Sequence, residues 1–220
     1  MRTLLSLFLA LAVITPALAQ NSPYAPFRQE PFTDVSESNP FYEAIDSLRE
    51  RNILQGYPEG DFRPEARINR AEFVFLITNP LLMDTMALNV CLTSEDVKDS
   101  QTIYFPDVDR GAWYAPAVCH AKRKGLINGY PNGKYMPGEY INFVEAAKII
   151  SSAMALQTKE EPGEQWFQPY VQALSDEHAI PVSIKTFNQM LTRGEMAEML
   201  YRMHNDITDR SHRVMSEMTY

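Results

Sequence analysis

The chain has 220 residues, a formal net charge of -8, 45% hydrophobic and 22% charged residues, an ordinary balance for a folded globular protein. An acidic chain without a lysine-rich stripe is a poor partner for nucleic acid or for an anionic membrane surface, because both demand clustered cations. Past its N-terminus it has no run near the roughly 20 apolar residues that a spanning helix needs, so no membrane span is expected in the mature chain.

Residues 1–19 carry Arg2, an apolar stretch over 4–13, Pro16 and the small-residue pattern Ala17-Leu18-Ala19 before Gln20. This is the form of a secretory signal peptide. Export places the only two cysteines, Cys91 and Cys119, in an oxidising compartment where a bridge between them fits. Two buried free thiols fit the same count. Residues 20–31 are polar and proline-containing and read as an extended lead-in.

A first unit is expected over 32–78. Phe41, Ala44, Ile45 and Leu48 recur at i, i+3, i+4, i+7, the apolar face of an amphipathic helix that starts after Pro40. The segment Gly56-Tyr57-Pro58-Glu59-Gly60 breaks that period and forms a turn in which proline presets φ and glycine takes the left-handed region. Asn69 followed three residues later by Glu72 has the pattern of a capping box, and Phe73, Leu76 and Ile77 supply a second helix.

A connector spans 79–104, with 81–90 expected to continue as helix, and then the pattern returns over 105–155. Gly129, Tyr130, Gly133, Pro137, Ile141 and Glu145 stand 73 residues after Gly56, Tyr57, Gly60, Pro64, Ile68 and Glu72. Thirteen of the 46 positions in 32–77 recur in 105–150, too many for chance, so the chain contains an internal repeat. A third unit over 160–203 keeps the two helices but loses the glycine loop. Its first helix presents Phe167, Tyr170, Val171 and Leu174, and Thr192 to Glu195 forms a further capping pattern. The polar tail 204–220 is expected to fray.

The capping asparagines, threonine and glutamates have a sufficient structural explanation, each cap contributing about 1 kcal/mol. Arg70 and Arg193 do not, because a cation in the first turn faces the positive end of the helix dipole. Either they join free helix N–H groups in an anion site, where the guanidinium grips a carboxylate, or they pair with an aspartate of a neighbouring unit such as Asp34 or Asp107. Phe143 takes their place in the second unit. Trp113 and Trp166 at the starts of helices, and Tyr57 and Tyr130 in the loops, suit either core packing or a platform for a sugar ring. The Met196, Met199, Met203 stripe reads as core filling. The four histidines lack metal-ligand spacing, no nucleophile-elbow or phosphate-loop pattern occurs, and Asp107, Asp109 and Gly111 are only a fragment of a calcium loop. No enzyme, no metal and no cofactor is therefore expected.

Phe-x-Asp-Val, an aromatic-led helix, Gly-Tyr-Pro-x-Gly-x-aromatic-x-Pro and Ile-Asn-Arg-Ala-Glu together resemble the S-layer homology (SLH) domain, usually found as three tandem copies in secreted bacterial envelope proteins. The resemblance covers 32 to about 203 and is specific in the first two units. It implies a mainly α fold of three helix-loop-helix units in a pseudo-threefold arrangement around a central helical bundle, with cell-wall glycan bound in grooves between units. It also implies that Arg70 and Arg193 hold the carboxylate of a pyruvate ketal and that Trp113, Trp166, Gly56, Tyr57, Gly129 and Tyr130 line the grooves. Phe143, Pro40 in place of a tryptophan and the missing third loop depart from the pattern, so at most two grooves are expected to bind in the usual way. The expected function is a non-catalytic anchor at the cell-wall surface whose partner is a wall polysaccharide or peptidoglycan-linked glycan. The alternative is an envelope adaptor holding another protein in the same grooves. An SLH trimer is usually fused to a larger cargo, for which this chain has no room.

Overall fold

The computed structural model describes residues 30–78, 90–159 and 161–220. The signal peptide, most of the lead-in and all but the last residue of the expected helix over 81–90 lie outside the described residues. The fold is mainly helical: α1 (Tyr42–Glu50), α2 (Arg70–Ile77), a short antiparallel pair β1 (Thr102–Ile103) and β2 (Phe105–Asp109), α3 (Ala115–Arg123), α4 (Phe143–Ala153), α5 (Gln168–Asp176), α6 (Arg193–Asn205) and a 3-10 turn (Met215–Glu217). Among the described residues no helix is long and apolar enough to cross a membrane.

The leading helices α1, α3 and α5 bury the faces their spacing predicts. Each ends the same way, with Asn52, Gly125 or His178 in the left-handed region. The next amide in each case donates back to the last turn, Ile53 to Leu48, Leu126 to Ala121 and Ala179 to Leu174, at 2.8 to 2.9 Å. This six-to-one bond satisfies a carbonyl that the helix end would otherwise leave open. The second helices α2, α4 and α6 all open on complete capping boxes, at Asn69/Glu72, Asn142/Glu145 and Thr192/Glu195.

Helix packing is exchanged between units. α2 packs on α3, α4 on α5, and α6 returns to α1. Gly194 lets α6 approach α1 closely, since a Cβ there would stand 2.3 Å from Cδ2 of Phe41. At the centre the backbone closes a ring: the amide of Ile68 donates to Leu191, that of Leu191 to Ile141, and that of Ile141 to Ile68, at 3.0 to 3.1 Å. All three side chains are fully buried.

The same cyclic order governs the helix N-termini. The first two amides of α2 donate to Glu139 and Pro137, those of α4 to Gln189 and Phe187, and those of α6 to Ala66 and Pro64. The capping side chain takes the third in each helix. Cys91 and Cys119, both fully buried, are joined in a disulfide that encloses a sequence separation of 28 residues and clips the connector to α3.

The tail does not fray. Met218 is buried, Phe187 N–H donates to Thr219, Arg213 N–H donates to Ile180, and Tyr220 packs on Phe187 and Phe167. In the first two units an opening aromatic, Phe32 or Phe105, packs on the loop aromatic Phe62 or Tyr135. Phe187, in the segment before α6, is covered instead by Phe167 and by Tyr220 of the tail. A polar sequence concealed that role because a few apolar residues, Met218 chief among them, do the burying.

Candidate functional site

Each glycine loop is organised by the aspartate of its own opening segment. Asp34 accepts from the amides of Phe62 and Arg63, and Asp107 from those of Tyr135 and Met136, at 2.7 to 2.9 Å. The bonds hold Arg63 and Met136 at φ 60° and 57°, a region that non-glycine residues rarely enter. Asp34 and Asp107 are therefore occupied by their own loops and are not the partners of Arg70 and Arg193. Gly56 and Gly129 are required by packing: an added Cβ would lie 2.4 Å from Phe32 Cε1 at the first and 2.6 Å from Phe105 Cε1 at the second.

The two motif arginines cross into the loop of the next unit. Arg70 Nε donates to Tyr135 O at 2.9 Å, and Arg193 Nε to the equivalent Phe62 O at 2.7 Å. Since carbonyls occupy the N–H groups of both helix starts, the expected anion site on free helix amides does not form. Arg193 is 0% exposed, its Nη2 donates to Gln55 O at 3.1 Å, and the Tyr57 and Phe62 rings cover its guanidinium. That geometry makes Arg193 a staple between α6 and the first glycine loop. Tyr57 lies between Arg63 and Arg193, with its hydroxyl 3.4 Å from Glu72. Trp113 packs edge-on against Phe75 and Tyr114.

Arg70 differs from Arg193 in its access. It lines an open cavity of about 380 Å³ together with Ile127, Gly129, Tyr130, Glu145, Lys148 and Trp166. Arg70 comes from α2, Gly129 and Tyr130 from the second glycine loop, Glu145 and Lys148 from α4, and Trp166, which is 55% exposed, from the approach to α5. The Arg70 guanidinium lies 4.6 Å from the Tyr130 ring centre and its Nη1 3.4 Å from Glu145 Oε2, while Nη2 has no hydrogen bond to a described residue. Tyr130 donates to Glu145 Oε1 at 2.7 Å. Burial, and then that bond to a carboxylate, push the Tyr130 phenol up to about 12, so it remains a neutral donor at any physiological pH.

Thus the structure brings four of the expected site residues, Arg70, Trp166, Gly129 and Tyr130, into one groove and places Arg193, Gly56, Tyr57 and Trp113 around the equivalent position one unit earlier. Lys148 and Glu145 also face the groove. Sequence reasoning passed over Lys148, whose only signal was its place on the helix face following a capping box.

A family model described as S-layer homology domain matches residues 31–74 and 104–150. Two segments of the chain are thus similar to the S-layer homology domain. The SLH matches coincide with the two units whose loops are ordered by Asp34 and Asp107. Among similar proteins, a cell surface protein of Thermoanaerobacter kivui is 23% identical over 172 residues, covering 78% of this chain and 21% of that protein. A surface-layer 125 kDa protein of Lysinibacillus sphaericus is 28% identical over 122 residues, 56% of this chain and 9% of the other. A cellulosome-anchoring protein of Acetivibrio thermocellus is 30% identical over 135 residues, 56% of this chain and 28% of the other. The chain thus spans less than a third of the length of each of these relatives.

Proposed function

We propose that the chain is an exported, non-catalytic anchoring module of the cell envelope, bound at the wall surface through a polysaccharide or peptidoglycan-linked glycan in the groove at Arg70. The observation that carries this reading is the convergence of a cation, a tyrosine and an exposed tryptophan from three successive units on one open cavity. A flat indole presents an apolar face to a sugar ring, and a guanidinium with an unengaged nitrogen takes a carboxylate. A pyruvate ketal brings such a carboxylate to an otherwise neutral sugar. Relatives named for surface layers and for cellulosome anchoring support an envelope setting. The third unit, 160–203, and an approximate threefold relation among the units are supported by the closed ring at Ile68, Ile141 and Leu191 and by the third capping box.

Sedimentation with protein-free wall sacculi tests the proposal. The wild-type chain is expected to pellet with the wall, and Trp166→Ala, at an exposed position, to weaken binding about tenfold, equivalent to about 1.4 kcal/mol. Arg70→Lys keeps the charge but loses the planar fork and is expected to weaken it comparably. Mild acid treatment that removes ketals is expected to abolish most of the binding. Undiminished pelleting of both variants overturns the groove assignment. Capture of an envelope protein without any binding to bare wall favours the adaptor alternative.

A further inference from the structure

The leading helices close on three different residues in the left-handed region. Asn52 ends α1 and Gly125 ends α3, and neither titrates, whereas α5 closes on His178. Glycine and asparagine both suit that conformation, so the backbone by itself does not call for a histidine. What His178 adds is a partner in the tail. Its ring stacks on that of His212, with centres 4.0 Å apart and planes 7° from parallel. The contact stands beside the bridge of His212 to Pro181 and the bond from Arg213 N–H to Ile180, where the tail is fastened to the segment after α5.

Hydrogen bonding fixes where a further proton goes. Nδ1 of His178 lies 2.9 Å from Thr208 O, and Nδ1 of His212 3.2 Å from Arg210 O. A carbonyl only accepts, so each Nδ1 carries hydrogen and each neutral ring keeps its lone pair at Nε2. Protonation at Nε2 breaks neither bond. Both rings are half-buried and line an open cavity of about 370 Å³, through which solvent reaches them. One imidazolium against a neutral ring is tolerated, and Asp176 of α5, on the wall of the same cavity with its Oδ1 held by Gln172, answers one charge. A second charge has no such answer. From α6 comes another cation, Arg202, tied to the carbonyls of His178 and Ser211. The tail brings Arg210, engaged by Glu43 and Glu198, and Arg213, engaged by Glu217. The adjacent carboxylates Glu177 and Asp209 are exposed to water.

We propose that the stacked His178–His212 pair is a pH-sensitive latch that holds the tail down when neutral and lets it go when both rings are charged. Two like charges at this spacing repel, so the docked pair takes up one proton where the free tail allows two. Docking is therefore complete above the range in which histidine ordinarily titrates and weakens as pH falls through it. Release withdraws Arg210 from Glu43 and Glu198 and uncovers the face shared by α1 and α6. The inference is independent of the glycan reading.

Amide hydrogen exchange on the full chain tests it, with protection expressed relative to an unstructured peptide at the same pH. Protection of the Arg213 amide is expected to fall about tenfold between pH 7.5 and 5, the scale of one excluded proton, while the Leu191 amide of the central ring stays protected. His212→Phe keeps a flat ring that cannot titrate, and His178→Asn takes the residue that closes α1. Each is expected to hold Arg213 protection level across that range, and His204→Gln, outside the pair, to keep the wild-type fall. Imidazole NMR on the wild-type chain decides the matter even where a variant loses its tail: the pair is expected to carry a single proton as long as Arg213 is protected. A level wild-type profile, a fall that persists in both pair variants, an equal fall at Leu191, or two imidazoliums on a docked tail each overturns the latch.

Discussion

At the scale of single residues, one motif letter serves two ends. Arg70 and Arg193 hold equivalent carbonyls in the adjoining loops, yet one lines an open cavity and the other is sealed. What separates them is their neighbours, Lys148 in one groove and Phe75 with Trp113 in the other. Tyr130 adds a titration with a defined sign. Its folded-state pKa lies above the ordinary tyrosine value of about 10, so the neutral phenol contributes stability that is complete below about pH 10 and is lost as pH rises through about 12. The difference in unfolding free energy between wild type and Tyr130→Phe is thus expected to be flat through neutral pH and to shrink between about pH 10 and 12. Chemical denaturation across that range measures it, and a constant difference would reject the Tyr130–Glu145 bond as its origin.

At the scale of elements, the two glycine loops are held by aspartates that take the amides of their positive-φ residues, Arg63 and Met136. Asp107 is the clearest case, since both its oxygens receive amides of the second loop. Asp107→Ala is expected to cost about 1–3 kcal/mol, the penalty for leaving a buried donor unsatisfied, with Asp107→Asn recovering part of it. Urea denaturation reads the loss. Protection of the Tyr135 amide against hydrogen exchange should fall with it, and unchanged protection would show that the loop holds without the aspartate. The capping boxes are independent of this bond, so an Asn142→Ala change is expected to add to it rather than overlap.

At the scale of the whole molecule, exchanged packing makes the units interdependent. α6 lies on α1 and the central ring needs all three extended segments, so a single unit cannot bury its own apolar face. A fragment of 32–78 is expected to show little helix by circular dichroism, because helices of 9 and 8 residues are marginal without tertiary contacts. The tail belongs to the same fabric. Truncation after Asn205 removes the buried Met218 and the ion pairs of Arg210 and is expected to lower stability by about 1.5–3 kcal/mol, on the scale of burying one large side chain. An unfolding midpoint equal to that of the full chain would return the tail to a dispensable appendage.

Much of this was legible in the sequence, for physical reasons local to it. Helical periodicity, the Asn69, Asn142 and Thr192 caps and the proline-glycine turns are written within a few residues of where they act, and their return at a fixed spacing revealed the repeat. The targets of Arg70 and Arg193 were not legible, because their partners Tyr135 and Phe62 are backbone carbonyls 65 and 131 residues away, and any residue type offers a carbonyl. The tail's role was hidden likewise, since its docking depends on Phe187 and Phe167, which lie outside the tail itself. Sequence alone therefore determined the units and the residues from which a site is drawn. Only the tertiary structure decided which groove is open, because access depends on what the neighbouring unit places beside each arginine.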